Sequence, residues 1–343
     1  MMTMAPGTPF ALGTFSIAGC QPFAGMAIDG AVIAIHALNG HAEQFGGKIC
    51  GSETVLGVLE DWRRNLPLLR QGAQAFASGP LSAALKGQAV PVDRLRVHAP
   101  VDNPRQIFMA RANYRSHVVD LLSAHGGGEG ETEEQRKASI GQMMDKLVAE
   151  GDPYAFVKLQ TAVTGPFDEI VVPSTTQRLD WEMELAVVIG RRAFRVDRKD
   201  ALDYVAGYCN ANDLSARDIL FRNDLGPGHD WTSCKSQPGF MPMGPYLVPA
   251  EFVPDPHDLN VLLKHNGKVM QNEQTSDMLH DIPRLIEFFS RHSELMPGDI
   301  ISTGSPNGNG MQVGVFIKPG DVIEGTVAGL GIMRNTFVAD ELA

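Results

Sequence analysis

Glu182 and Glu184 stand two residues apart in the run Leu179-Asp180-Trp181-Glu182-Met183-Glu184-Leu185-Ala186-Val187-Val188-Ile189-Gly190. Apolar and β-branched residues closed by a glycine predict a β-strand. On a strand, residues two apart share a face, so the two carboxylates project side by side while Trp181, Met183 and Leu185 face the other way. Adjacent carboxylates with no basic residue between them repel and resist burial unless something positive separates them. A hard divalent cation is the simplest such partner, because Mg²⁺ and Ca²⁺ take oxygen ligands. The same spacing also describes a solvated sheet face, and the pair alone does not decide between the two.

Further polar sets follow: Gly207-Tyr208-Cys209-Asn210-Ala211-Asn212-Asp213-Leu214-Ser215-Ala216-Arg217-Asp218, then Lys235-Ser236-Gln237-Pro238-Gly239-Phe240, Asn266-Gly267-Lys268, Thr275-Ser276-Asp277-Met278 and Gly298-Asp299-Ile300-Ile301-Ser302-Thr303-Gly304-Ser305-Pro306. In this order and with these gaps, the chain resembles the fumarylacetoacetate hydrolase family from near Pro104 to about Val338. The resemblance is to its acylpyruvate hydrolase and 2-hydroxyhepta-2,4-diene-1,7-dioate isomerase-like members. It implies a rolled mixed β-sheet enclosing a central metal site, usually in a homodimer.

The resemblance also implies roles for residues. Asp213 becomes the third metal ligand beside Glu182 and Glu184; read alone, it is a turn aspartate capping the helix that follows. Three carboxylates suit Mg²⁺, with Mn²⁺ or Ca²⁺ as alternatives, and leave about three positions for water and substrate oxygens. Lys235 corresponds to a cation that stabilises a developing enolate. Arg217 either contacts substrate or pairs with Asp218 or Asp213 and shapes the site. Ser305, with Thr303 and Tyr114 nearby in the motifs, is placed to bind substrate; an ordinary Gly-Ser-Pro turn explains Ser305 equally well. His117 follows Asn113-Tyr114 at the family spacing and is the expected general base. If it starts a helix, Asp120 at i+3 shares its face and is placed to orient the imidazole. Three departures stand out: Leu220 where the family commonly has glutamine, two extra residues in the Gly226-Pro227-Gly228-His229-Asp230 loop, and Pro238-Gly239-Phe240-Met241-Pro242 after Lys235-Ser236. They point to a distal substrate end that is read differently.

The implied reaction is metal-dependent hydrolysis of a carbon–carbon bond in an acylpyruvate-like β-diketo acid, giving a carboxylic acid and pyruvate, in aromatic-compound catabolism. The alternative is a hydratase, isomerase or decarboxylase of a 2-oxo acid that works through an enolate at the same metal. A non-catalytic binder of small acids is the remaining class.

The elements that must position these groups read as α+β and strand-rich. Residues 101–343 form the expected catalytic domain and residues 1–100 a smaller N-terminal domain with a structural or interface role. In the latter, Phe23–Ala34 predicts a hairpin turning at Asp29-Gly30, and a helix from Ser52 carries Val55, Leu59, Trp62 and Leu66 on one stripe. A strand over Gln106–Ala110 precedes the histidine motif. Residues 126–152 combine the glycine run with a helix opened by Thr132-Glu133-Glu134-Gln135 and striped by Ile140, Met143, Met144 and Leu147. Two readings stand for that segment, a lid hinged on the glycines or a surface insertion. Asp281 caps a later helix with Pro283 in its first turn and Ile282, Leu285, Ile286 and Phe289 buried.

Composition narrows the partners. At 343 residues with a net charge of −11, the chain is a poor match for nucleic acid or an anionic membrane. No apolar run reaches membrane-span length. Cys20, Cys50, Cys209 and Cys234 show no metal or disulfide spacing, which suits a reducing cytoplasm, the expected location.

Overall fold

The computed structural model describes residues 7–125, 132–221 and 228–341. The Gly126–Gly130 run and Gly226-Pro227 lie outside the described residues. The N-terminal part is a five-stranded sheet that includes β1 (Ala11–Ser16), β2 (Phe23–Ile28) and β3 (Ala31–Ala34). Ile28 pairs with Ala31 across Asp29 and Gly30, whose φ of 48° and 79° make the two-residue turn that matches strand twist. The expected helix divides in two. Thr54, not Ser52, caps α1 (Val55–Glu60) by accepting the Gly57 N–H at 3.0 Å, and Asp61 separates it from α2 (Trp62–Ala77). Val55, Leu59 and Trp62 are buried as the stripe requires.

Beyond residue 100 come β4 (Ile107–Arg111), α3 (Arg115–His125), α4 (Glu133–Glu150), β5 (Tyr154–Val157), β6 (Met183–Ile189), β7 (Val205–Asn212), α5 (Ile282–His292) and β8 (Ile300–Ser302). One mixed sheet runs in the order Val248–Pro249, β7, β6, β8, β4, β5, with β8 and β4 parallel. A second five-stranded sheet includes Asn260–His265 and Val322–Val327. β6 and β7 are buried along their whole length, so both faces are apolar except where polar groups pair. Leu12 and Leu247 exchange backbone hydrogen bonds of 2.9 and 2.8 Å, and one hydrophobic core runs from Phe10 through Phe337. The N-terminal sheet is therefore packed against the rest of the fold. Asp281 caps α5 at the Arg284 N–H, 2.9 Å away, with Pro283 in its first turn. The capping box at Thr132 and Gln135 opens α4, but Met143 and Leu147 of its stripe are 46% and 54% exposed. No helix among the described residues is long and apolar enough to cross a membrane.

The Leu179–Gly190 run is not one strand. Leu179–Asp180 pairs with Ser215–Ala216, the chain breaks at Trp181-Glu182, and β6 begins at Met183. Side chains take the freed backbone donors: Asp180 Oδ1 accepts Trp181 N at 2.8 Å, Asn212 Oδ1 accepts Glu182 N at 2.9 Å, and Gln271 Oε1 accepts Met183 N at 3.0 Å.

Asn210, buried in the middle of this framework, donates to Gly244 O at 2.9 Å, Gly331 O at 3.0 Å and Leu330 O at 3.2 Å while accepting Val327 N at 2.6 Å. Asn210→Ala would strand those groups away from water and should cost about 2–4 kcal/mol in denaturant unfolding. A loss under about 0.5 kcal/mol would show that the network is not holding the two sheets together.

Candidate metal centre and active site

The β6–β7 register sets Met183 opposite Asn212, so the residues just beyond each strand, Glu182 and Asp213, lie side by side. Asp213 N donates to Glu182 O at 2.8 Å and locks that junction. Glu184 is the second residue of β6, and its Oε2 accepts from Ser302 Oγ at 2.5 Å and Gly304 N at 2.9 Å. Both contacts fall on one oxygen and leave Oε1 for a ligand. One carboxylate oxygen from each of Glu182, Glu184 and Asp213 falls within 4.8 Å of the others. The strand therefore delivers Glu184, while Glu182 is delivered by the break before it.

Burial, reinforced by Asp213 and Glu182, pushes the Glu184 carboxyl up to about 8. Burial acts in the same direction on Glu182, but Arg217 and Lys235 overcome it and hold that carboxyl well below the usual range. Lys235 Nζ lies 2.7 Å from Glu182 Oε2 and 2.5 Å from Asp213 Oδ2. Burial disfavours its charge, yet Asp213 and Glu182 raise its pKa. Lys158 pairs with the other Asp213 oxygen and donates to Phe240 O at 2.6 Å. Burial lowers its pKa against the pull of Asp213. Arg217 pairs with neither Asp218 nor Asp213. Its Nε reaches Asp180 Oδ2 at 2.8 Å and a terminal nitrogen binds Glu182, while Asp218 accepts from Thr176 and from Gln177 N. Arg217 thus holds Glu182 in place.

Four carboxylates (Asp180, Glu182, Glu184, Asp213) consequently meet three cations (Lys158, Lys235, Arg217) in a site largely closed to water. With Glu184 protonated the charges balance, and once it ionises a net negative charge and an all-oxygen donor set remain, which fit a hard dication; the dication turns the balance in favour of an anionic substrate.

The His117–Asp120 pairing expected from helical spacing does not form. Asp120 accepts from Asn307 Nδ2 at 2.5 Å and meets Lys137 Nζ of α4 at 2.9 Å, so two cross-helix and loop partners outcompete its own helix neighbour. His117 Nδ1 is buried with no hydrogen-bond partner among the described residues. Burial lowers the His117 pKa, with Glu182 opposing, so the ring is a neutral proton acceptor near neutral pH. Ser305 lines the cavity beside the triad, its Oγ accepting from Gln271 at 2.9 Å. Thr303 is spent on the backbone, donating to Leu185 O at 3.0 Å, and does not line that cavity. Tyr114 is fully buried behind Glu184, where burial and that carboxylate push its pKa up.

A cavity of about 350 Å³ opens onto Glu182, Glu184, Lys235, Arg217, His117 and Ser305, with Leu121, Leu122, Leu220, Phe156 and Trp231 among its apolar walls. Sequence reading missed Lys158 and Asp180. Asp180 gave a signal, an acid inside a buried run. Lys158 ends the short apolar segment Tyr154–Val157, which marks no chemistry until the sheet brings it to Asp213.

Residues 106–338 match the family described as Fumarylacetoacetate (FAA) hydrolase C-terminal. The human protein named mitochondrial oxaloacetate tautomerase FAHD2B is 39% identical over 272 residues, 79% of this chain and 78% of its own. The structure of maleylpyruvate hydrolase from Sphingobium sp. SYK-6 in complex with manganese(II) and pyruvate is 25% identical, superposes with a TM-score of 0.68, and is covered in full by 96% of this chain. Fumarylacetoacetate hydrolase from Exiguobacterium antarcticum gives a TM-score of 0.71 at 27% identity, over 96% of this chain and all of that one.

Because a cation at the triad must expel the proton that Glu184 holds below about 8, metal binding should be proton-linked. In calorimetric titrations Mn²⁺ affinity should climb with pH, approaching tenfold per unit, and level off above about 8. Glu184→Gln should flatten that rise; an equally steep rise in the variant would place the proton elsewhere.

Proposed function

The chain belongs to the fumarylacetoacetate hydrolase family, and from that premise we propose that it is a divalent-metal-dependent enzyme moving a proton between carbon and oxygen of a 2-oxo acid, a keto–enol tautomerase. The observation that carries this reading is the diversion of Asp120 to Lys137 and Asn307, which leaves His117 a neutral base with no carboxylate hydrogen-bonded to its Nδ1 to orient it for activating water. Proton abstraction next to a carbonyl asks less of the base. The similarity to a protein named oxaloacetate tautomerase supports the same reading.

Glu182, Glu184 and Asp213 would hold Mg²⁺ or Mn²⁺, which when bound polarises the carbonyl of the 2-oxo acid. His117 takes the proton from the carbon beside that carbonyl. Lys235, kept charged by Glu182 and Asp213, faces the negative charge that develops on oxygen. His117 then returns its proton to that oxygen, giving the enol with no net gain or loss of protons. Leu121, Leu122 and Leu220 shield the transfer from bulk water.

A second reading, carbon–carbon hydrolysis of an acylpyruvate-like β-diketo acid to a carboxylic acid and pyruvate, is favoured by the cavity. Its 350 Å³ exceeds what a four-carbon acid fills, and the likeness to a maleylpyruvate hydrolase supports it. Such a step would serve the breakdown of aromatic compounds.

With Mn²⁺ present, loss of enol absorbance from oxaloacetate should be fast, and His117→Asn should slow it by about 10²–10⁴-fold. Glu182→Ala should remove the metal dependence. Equal amounts of acid and pyruvate from acetylpyruvate or fumarylpyruvate would make hydrolysis the main activity; no turnover of any of these would contradict both readings.

A further inference from the structure

The cations around the cavity are of two kinds. Arg217 and Lys235 are committed to Asp180, Glu182 and Asp213. Arg111 also lines the cavity, and among the described residues no carboxylate pairs with it. It ends β4, where the register with β5 sets it opposite Tyr154. Its guanidinium carbon lies 4.7 Å from the Tyr154 ring centroid and 5.2 Å from that of Trp231. Trp231 in turn stacks on Phe156 with centroids 4.9 Å apart and planes 16° from parallel. Phe156 carries Lys235 Nζ 5.4 Å from its centroid. One aromatic wall therefore has the lysine of the metal centre at one end and Arg111 at the other.

Contacts with two rings fix a guanidinium by cation–π attraction and leave its in-plane N–H donors unspent. A half-buried guanidinium held this way and lacking a counter-charge is built to receive a planar carboxylate through two parallel hydrogen bonds. Arg178, the other cavity cation without a carboxylate partner among the described residues, is exposed and rests on the single ring of Phe316 at 4.8 Å. Its position is less fixed. The apolar side chains of Leu121 and Leu220 line the same cavity and suit a carbon chain between two polar ends.

We propose that Arg111 is the receptor for the distal carboxylate of the substrate and the residue that selects a dicarboxylate over a monocarboxylate of the same length. The inference rests on the reading that the 2-oxo end is held at Glu182, Glu184 and Asp213. The aromatic clamp makes Arg111 a specificity-determining residue and gives the site two poles, one for each end of a dianion.

The test compares two acids of equal length, 2-oxoadipate and 2-oxohexanoate, which differ only in whether the far end is a carboxylate or a methyl group. Their binding to the Mn²⁺-loaded full chain is measured by titration calorimetry. The dicarboxylate should bind on the order of 10- to 100-fold more tightly. Arg111→Met should bring the ratio to within about twofold of one. Arg111→Lys, which keeps the charge but loses the fork, should give a ratio between the two and decides the matter if the methionine variant does not fold. Equal binding of both acids by the unaltered protein, or an undiminished ratio in either variant, would overturn the assignment. A preference that persists in a protein with no turnover of any 2-oxo acid would sink the proposed reaction while still supporting Arg111 as the distal receptor.

Discussion

Three carboxylates brought within 4.8 Å of one another, two of them almost wholly out of water, set the terms for the rest of this molecule. Like charges in a poorly solvated place repel strongly, and each must be neutralised, hydrogen-bonded or protonated. The protein uses all three means. Lys158 and Lys235 neutralise Asp213, and Lys235 with Arg217 neutralises Glu182. Glu184 receives only a hydroxyl and a backbone N–H, so it is the member that keeps its proton. That imbalance concentrates the need for a cation on one side of the cluster, next to the cavity.

Holding such a cluster takes a rigid frame, which explains why the ends of β6 and β7 are so heavily tied. Regular pairing stops at Met183 and Asn212, and side chains take over the backbone donors that the break exposes. Gln271 illustrates the economy of the arrangement. It accepts Met183 N and donates to Ser305 and Pro306, linking the metal-binding strand to the turn that borders the cavity. Asn210 does the same deeper in the fold, where a single side chain joins β7 to the turns at Gly244 and Leu330.

Much of this was legible in the sequence where the cause is local. Asp29-Gly30 specifies its hairpin because both positions need positive φ, and Asp281 with Pro283 specifies a helix start. The acidic residues were legible by type and spacing, but the reason for their placement was not. Glu182 reads as strand because its neighbours are apolar and β-branched; the break depends on Asn212 and Gln271, which lie far along the chain. Asp120 departs from its expected pairing for the same kind of reason. Helical spacing puts it near His117, yet Lys137 and Asn307, contributed by a second helix and a distant loop, capture it. Lys158 gave no signal because its importance exists only once the fold carries the residue after β5 to Asp213, just beyond the end of β7.

Whether the three carboxylates form a metal site is decided by anomalous diffraction from crystals soaked in Mn²⁺ at a pH above that at which Glu184 loses its proton. One manganese should appear, ligated by Glu182, Glu184 and Asp213, with the Lys235 ammonium drawn away from at least one of its two carboxylates. Manganese bound elsewhere, or a triad still bridged only by lysine at saturating metal, would contradict a metal site there.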